Sequence, residues 1–322
     1  MATRIVFVGD IHAADRPPLG RTEDYREQIL TKLEEGGVAS KGADAIVLLG
    51  DIFHQPRANL VSHSLVKSLM DIFRRYPAPV YALMGNHDQG EEGYASLPRQ
   101  PFGVLGEAGV IRVFLSPVVV GQVRLVFRHY DARRDADPTY YALGEDERDR
   151  PFNPGAIILC AHGSIVPPGE SRPYPTLNVR ELLYCGADAI ISGHLHEDLG
   201  ISKVSYKGNH LLFANPGSLA RVSRDKHNMT RIPHILVADW DGKLTFSYYE
   251  LESARPASEV FLTPEAGGEE GVSDEIREFA RALSGGLAAE EADLDTLLAK
   301  FSEIPTNVRN HVRRLIENAG GF

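Results

Sequence analysis

Cysteine is nearly absent: Cys160 and Cys185 are the only two in 322 residues. This excludes a disulfide scaffold and a thiolate zinc finger. Long apolar runs are lacking too. None approaches the ~18 residues a membrane span needs, so no membrane partner is expected. Met1 leads straight into the apolar Ile5–Val8, with no long hydrophobic region before a small-residue cleavage site. A reducing, cytoplasmic setting is the expectation. Cations are in deficit, 34 Lys+Arg against 44 Asp+Glu, for a formal net charge of −10. Such a balance disfavours indiscriminate coating of nucleic acid but permits a local site that binds phosphate through metals. Hydrophobic residues make up 43% of the chain, enough for a sizeable core without staples. The length fits two domains, or one large domain with an appendage.

The first half alternates strand and helix signals. Arg4–Val8, Ala45–Leu49 and Pro79–Met84 are short apolar runs, each ending in a polar loop. Helices are expected around Glu23–Glu35 and over Leu60–Tyr76, the latter with Val61, Leu65, Leu69, Ile72 and Phe73 on one stripe. That order implies a parallel sheet with functional loops at the carboxyl ends of its strands. Further on, Val110–Leu115, Val118–Val120 and Gln122–Phe127 read as short antiparallel strands, and Asp131–Pro154 as a surface loop. Ala156–Cys160, Ala187–Ile191, Leu211–Ala214, Pro233–Trp240 and Lys243–Glu250 complete a β-rich second half. The fold class expected is α/β, a four-layer αββα sandwich of two mixed β-sheets with a C-terminal helical tail. Residues 1–254 form the main domain in this reading. Arg255–Val272, rich in Pro, Gly, Ala and Glu, reads as a linker. Helices are expected at Ser273–Ser284, Ala288–Ser302 and Pro305–Asn318, so that 273–322 is a helical region that either docks a partner or packs on the core.

The chemistry-bearing residues follow the strands. They are Asp10-x-His12, Gly50-Asp51, Gly85-Asn86-His87-Asp88, Ala161-His162-Gly163 and Gly193-His194-Leu195-His196. Carboxylate, amide and imidazole donors without thiolate suit divalent first-row metals, and point to Mn or Fe rather than structural zinc. An aspartate with an oxygen on each side can bridge two cations. Two dications roughly 3.5–4 Å apart, held by two carboxylates, keep positive charge to receive a phosphate ester and an attacking hydroxide. Histidine ligands must be neutral to bind, so protons are expected to compete with metal below about pH 6.5.

Five such motifs in this order resemble the calcineurin-like metallophosphoesterases, over residues 4–218. The resemblance implies one metal on Asp10, His12, Asp51 and His196. A second would lie on Asp51, Asn86, His162 and His194. The cofactors implied are two divalent ions, manganese foremost, with iron, zinc or magnesium as other cations these donors accept. His87 matches the histidine that sits beside the scissile phosphate, with Asp88 as its orienting partner. Gly50-Asp51-Ile52-Phe53-His54 resembles the motif of the double-strand-break repair nucleases, including the nuclease subunit of SbcCD-type exonucleases, and Asn215-Pro216-Gly217-Ser218 is similar to the same branch. That likeness implies phosphodiester hydrolysis on DNA, an SMC-like coiled-coil ATPase partner and homodimerisation, while His54 reads either as a phosphate contact or as a residue that satisfies a helix approach. A stand-alone phosphatase or phosphodiesterase for nucleotides or other small esters is the alternative. Where those nucleases usually show Leu-Gly after the histidine, Ala13-Ala14-Asp15-Arg16-Pro17 stands here.

The remaining residues carry weaker signals. His63, His129, His210, His227, His234 and His311 have no partners in sequence and read as surface or core. Cys160 and Cys185 read as small buried hydrophobes. Arg221, Arg224 and Lys226 read either as phosphate contacts or as a solvated loop.

Overall fold

The computed structural model describes residues 2–55, 60–90, 92–148 and 155–263. In chain order its strands begin with β1 (Thr3–Val8), β2 (Ala45–Leu48), β3 (Val80–Ala82), β4 (Val118–Val120), β5 (Val123–Arg128) and β6 (Ala156–His162). There follow β7 (Ile165–Val166), β8 (Leu177–Asn178), β9 (Ala189–Gly193), β10 (Gly200–Tyr206), β11 (Asn209–Asn215), β12 (His234–Trp240) and β13 (Leu244–Glu250). One sheet has the order β13-β12-β1-β2-β3 and the other β10-β11-β9-β6-β5-β4, with β7-β8 a separate pair. Both large sheets are mixed: β1 pairs parallel with β2 and antiparallel with β12, while β11 pairs parallel with β9 and antiparallel with β10.

The central strands β2, β6 and β9 are almost wholly apolar because both of their faces are buried. In β1, Ile5 and Phe7 enter the core between the sheets, while Val6 and Val8 face the helices. In β6, Ile158 and Cys160 point between the sheets, and Ile157, Leu159 and Ala161 point outward. Cys160 and Cys185 are both free and buried. The outer layer on the first sheet is helical: α1 (Tyr25–Ala39), α2 (His63–Arg74) and α3 (Pro101–Glu107). α2 starts at a real cap, since the Ser62 hydroxyl accepts from the Leu65 N–H. Asp15 in turn accepts from the Ser62 N–H at 2.6 Å and from Arg26 at 2.7 Å. The departure at Ala13–Pro17 thus anchors two helices. Leu65, Leu69, Ile72 and Phe73 form the buried stripe, each such side chain contributing ~1.5–3 kcal/mol.

The outer layer on the second sheet is slighter than the first. It consists of single turns, α4 (Pro138–Tyr141), α5 (Glu145–Arg148) and a 3₁₀ turn at Val179–Leu182, with Tyr141, Leu143, Val179 and Leu182 filling the core beneath them. The Asp131–Pro154 segment is therefore more than a surface loop as far as Arg148, because Tyr141 and Leu143 need a sheet to cover them. Val110–Leu115 is not a strand. Only Arg112 bridges Tyr81 at the edge of β3, with Arg112 N–H to Val80 O at 2.8 Å. β10 is an addition: its exposed, Gly/Ser/Lys-bearing residues lack an apolar run, but a turn through Lys207 and Gly208, both at positive φ, folds it onto β11.

The unit containing the sheets runs to Thr263. The first part of the expected linker packs on it: α6 (Lys226–Thr230) and α7 (Ala257–Val260) lie together, and Val260 and Phe261 are buried beside Met229. Two large apolar side chains in an otherwise polar stretch account for that. The rest of the linker and the three expected tail helices lie outside the described residues. At the end of the sandwich away from the strand carboxyl termini, Gln122 joins the sheets. Its N–H donates to Thr3 Oγ1 at 3.0 Å and its side-chain oxygen accepts from Trp240 Nε1 at 3.0 Å. No helix among the described residues is long and apolar enough to cross a membrane.

Candidate metal centre

The carboxyl ends of β1, β2, β3, β6 and β9 meet at one end of the sandwich and carry all five motifs. Asp10, His12, Asp51 and His196 form one convergent group, and Asp51, His162 and His194 a second. Asn86 completes the second, its Oδ1 lying 3.2 Å from His162 Nε2 and 3.0 Å from His194 Nδ1. Asp51 belongs to both. Its Oδ2 lies 3.7 Å from His12 Nε2, and its Oδ1 lies 3.6 Å from His162 Nε2. The His87 N–H donates to Asp51 Oδ1 at 2.8 Å and fixes that orientation. Asp10 accepts the His194 N–H on both oxygens and presents Oδ2 to His196 Nε2 at 3.7 Å.

The backbone is bent to make this possible. His12, Asp51 and His194 have φ of 48°, 47° and 81°, a region that side-chain-bearing residues rarely occupy and that clusters at functional sites. Gly85 is required by close approach, since a Cβ there would lie 2.1 Å from Asp51 Oδ1. Gly50, at φ 105°, would place one 2.2 Å from His162 Nδ1.

The donor set fits divalent cations. His12 Nε2 and His196 Nε2 face each other at 2.8 Å. Asp10 and Asp51 are each 1% exposed, and among the described residues their ion-pair partners are these histidines. Two buried carboxylates and converging imidazoles, with no lysine or arginine paired to them among the described residues, leave a charge that divalent cations would balance. His162 Nδ1–H donates to Leu49 O at 2.7 Å, which leaves the Nε2 lone pair directed into the cluster.

His87 and His54 stand at the half-buried mouth, rings parallel and 5.7 Å apart. The orienting partner of His87 differs from the expectation. Its Nδ1–H donates to the His54 carbonyl at 2.8 Å, leaving Nε2 turned to the mouth. The Asp88 carboxylate is buried and committed to the backbone, accepting from Phe53 N–H at 3.1 Å and Gly85 N–H at 3.0 Å. It closes the β3 loop onto the β2 loop. His54 Nδ1 lies 3.4 Å from His12 Nδ1, and burial pushes the His54 imidazole down to about 4.

Tyr130, not anticipated from sequence, lies with its ring 5.2 Å from His194 and 6.0 Å from His162. It follows β5 as the other motif residues follow their strands, and that position was its one visible signal. His129 is buried, accepting from Met84 N–H and donating to Phe114 O. Arg221 is neither a phosphate contact nor solvated: it is 2% exposed and donates to the Arg255 carbonyl.

Burial pushes the Asp51 carboxyl up to about 8, and burial with the Asp51 charge holds Asp10 well above the usual carboxylate range. Burial lowers His12, His162, His194 and His196. The metal-free site at neutral pH therefore keeps its protons on carboxyls and its imidazoles neutral. Proton competition then belongs to Asp10 and Asp51 and extends above the histidine range first expected. Mn²⁺ loading at pH 7 is expected to release protons, and affinity to rise as pH approaches the Asp51 value of about 8. Calorimetry in buffers of different ionisation enthalpy counts those protons. Zero release at pH 7 contradicts the expectation.

Residues 3–198, more than half the chain, match the calcineurin-like phosphoesterase family, and the chain belongs to it. It is thus a member of a metal-dependent phosphoesterase family. Comparison with curated proteins returns no match. Among solved structures, a dimetal phosphatase from Danio rerio is 11% identical, with 77% of this chain and 96% of that one covered, at TM-score 0.48. A 5′-nucleotidase precursor from Thermus thermophilus is 16% identical, with 89% and 60% covered, at TM-score 0.42. A purple acid phosphatase from yellow lupin is 14% identical, with 80% and 52% covered, at TM-score 0.47. The family assignment rests on the match over 3–198 alone.

Proposed function

We propose that the protein is a dinuclear-metal phosphodiesterase that cleaves DNA, as the nuclease subunit of a recombination or repair complex. One observation carries the dinuclear reading: the two oxygens of Asp51 face different histidines, His12 on one side and His162 on the other. Asp10, His12 and His196 would hold one cation with Asp51, and Asn86, His162 and His194 the other. Such a pair supplies charge neutralisation of the phosphate and activation of the attacking water. The chain's own residues do the rest. His87, held through Nδ1 by the His54 carbonyl, delivers a proton from Nε2 to the leaving oxygen. His54, stacked beside it, steadies the phosphate. Supporting the nuclease reading is the Gly50–His54 motif, whose last residue stands at the mouth beside His87. The same likeness supplies the partner, an SMC-like coiled-coil ATPase.

Labelled linear DNA, bis-p-nitrophenyl phosphate and nucleotide monophosphates, each with Mn²⁺, separate this from a small-ester phosphatase. Both diesters are expected to be cleaved, with the monophosphates at least about tenfold slower. Rapid monophosphate hydrolysis beside intact DNA overturns the nuclease reading in favour of the small-ester one.

A further inference from the structure

Behind the first cluster runs a loop, residues 217–221, that grips the main chain of two of its members. Ser218 N–H donates to His196 O at 3.1 Å, and Leu219 N–H and Ala220 N–H both donate to Asp10 O, at 2.9 and 3.4 Å. The loop lies directly against the strand end, since a Cβ on Gly9 would fall 1.9 Å from Gly217 O. The carbonyls of Ser218–Arg221 point the other way, into a set of basic side chains. Arg231 donates to Ser218 O at 2.7 Å, to Ala220 O at 2.6 Å and to Ser218 Oγ at 2.8 Å. Lys32 donates to Leu219 O at 3.0 Å, and Arg21 donates to Arg221 O. Lys32 and Arg21 are each 2% exposed. Among the described residues none of the three cations forms an ion pair.

Burying a basic group with no carboxylate partner is expensive, and a leucine or methionine would fill the Lys32 position without that cost. The register of the bonds gives the cations a use. The Ser218 carbonyl and the Leu219 N–H belong to one peptide group, and the Leu219 carbonyl and the Ala220 N–H to the next. Arg231 and Lys32 therefore each hold one end of a peptide whose other end holds Asp10. A donor on the carbonyl both fixes the plane of that peptide and strengthens its N–H as a donor.

We propose that Lys32 and Arg231 are positioning residues for the metal centre, setting the main chain of Asp10 through the peptide groups of Ser218–Ala220. The inference rests on the dinuclear reading above. Its test is Mn²⁺ binding to the full chain by equilibrium dialysis, beside melting of the metal-free form. Wild type is expected to hold two ions. Lys32→Met is expected to weaken one of them about 10–100-fold, the range for groups that orient ligands, and to leave the other unchanged. Lys32→Gln, which keeps a donor for the Leu219 carbonyl, is expected to recover most of the loss. A purely structural role would instead lower metal-free melting and leave both affinities alone, which overturns the inference while the dinuclear reading stands. A wild type that holds fewer than two ions removes the reading and the inference together. Should Lys32→Met not fold, Arg231→Lys, which keeps charge but cannot reach all three acceptors, is read in the same way.

Discussion

Asp51→Asn leaves a folded protein that binds neither cation tightly and hydrolyses bis-p-nitrophenyl phosphate at least about 10³-fold more slowly, beyond the ~10²–10³ that one oriented donor supplies. The expectation follows from geometry. Both Asp51 oxygens face ligands, one in each cluster, and the His87 N–H already fixes the carboxylate. Replacing one oxygen by an NH₂ removes a lone pair from one group of donors and turns a donor toward the imidazoles. The fold tolerates the change because the side chain is isosteric and its burial penalty falls with its charge. Removing His12 should act on one cluster alone. Metal analysis of purified Asp51→Asn and His12→Ala separates the two effects. An Asp51→Asn protein that retains two metals and full rate shows that the bridge has been assigned to the wrong residue.

His87→Ala should retain both metals and lose about 10²–10⁴-fold in turnover on an alkyl diester, the range of a positioned general acid. No group in either cluster is removed, since only the His87 main chain touches Asp51. The loss should shrink for a p-nitrophenolate leaving group, which departs with little need of a proton. An equal loss on both esters assigns His87 to holding phosphate rather than to proton delivery. Asp88→Asn serves as the contrast. Asp88 bonds the Phe53 and Gly85 N–H groups and not the His87 ring, so its substitution is expected to act through loop geometry, equally on either ester.

How much of this is legible in the sequence depends on where each contact originates. Asp10, Asp51, Asn86, His162 and His194 are visible because each follows an apolar strand within a few residues, and a parallel sheet gathers such loops at one end. The two sheets are visible for the same reason, as strands too apolar for anything but burial on both faces. The partner of the His87 ring is not, because it is a backbone carbonyl, and every residue has one. Aspartate next in sequence is the natural candidate, yet the turn at Gly85–Asp88 directs that carboxylate back to its own loop. β10 escapes because it is held by pairing with β11 rather than by hydrophobicity. The burial of Lys32 and Arg21 is not legible either, since nothing local says that the loop after Asn215 will cover them.

The two donor groups draw on both halves of the fold. Asp10, His12, Asp51 and Asn86 are carried by loops of the first sheet, whereas His162, His194 and His196 come from the second. Each cluster therefore spans the seam, and a cation held by either one ties sheet to sheet. At the opposite end the seam is already closed by Thr3, Gln122 and Trp240. No disulfide crosses it, for both cysteines are free. The sandwich is thus a two-leaved book, stitched by hydrogen bonds at both margins, where His194 N–H and His162 Nδ1–H reach Asp10 and Leu49 across the seam, and bound cations would add a clasp at the second.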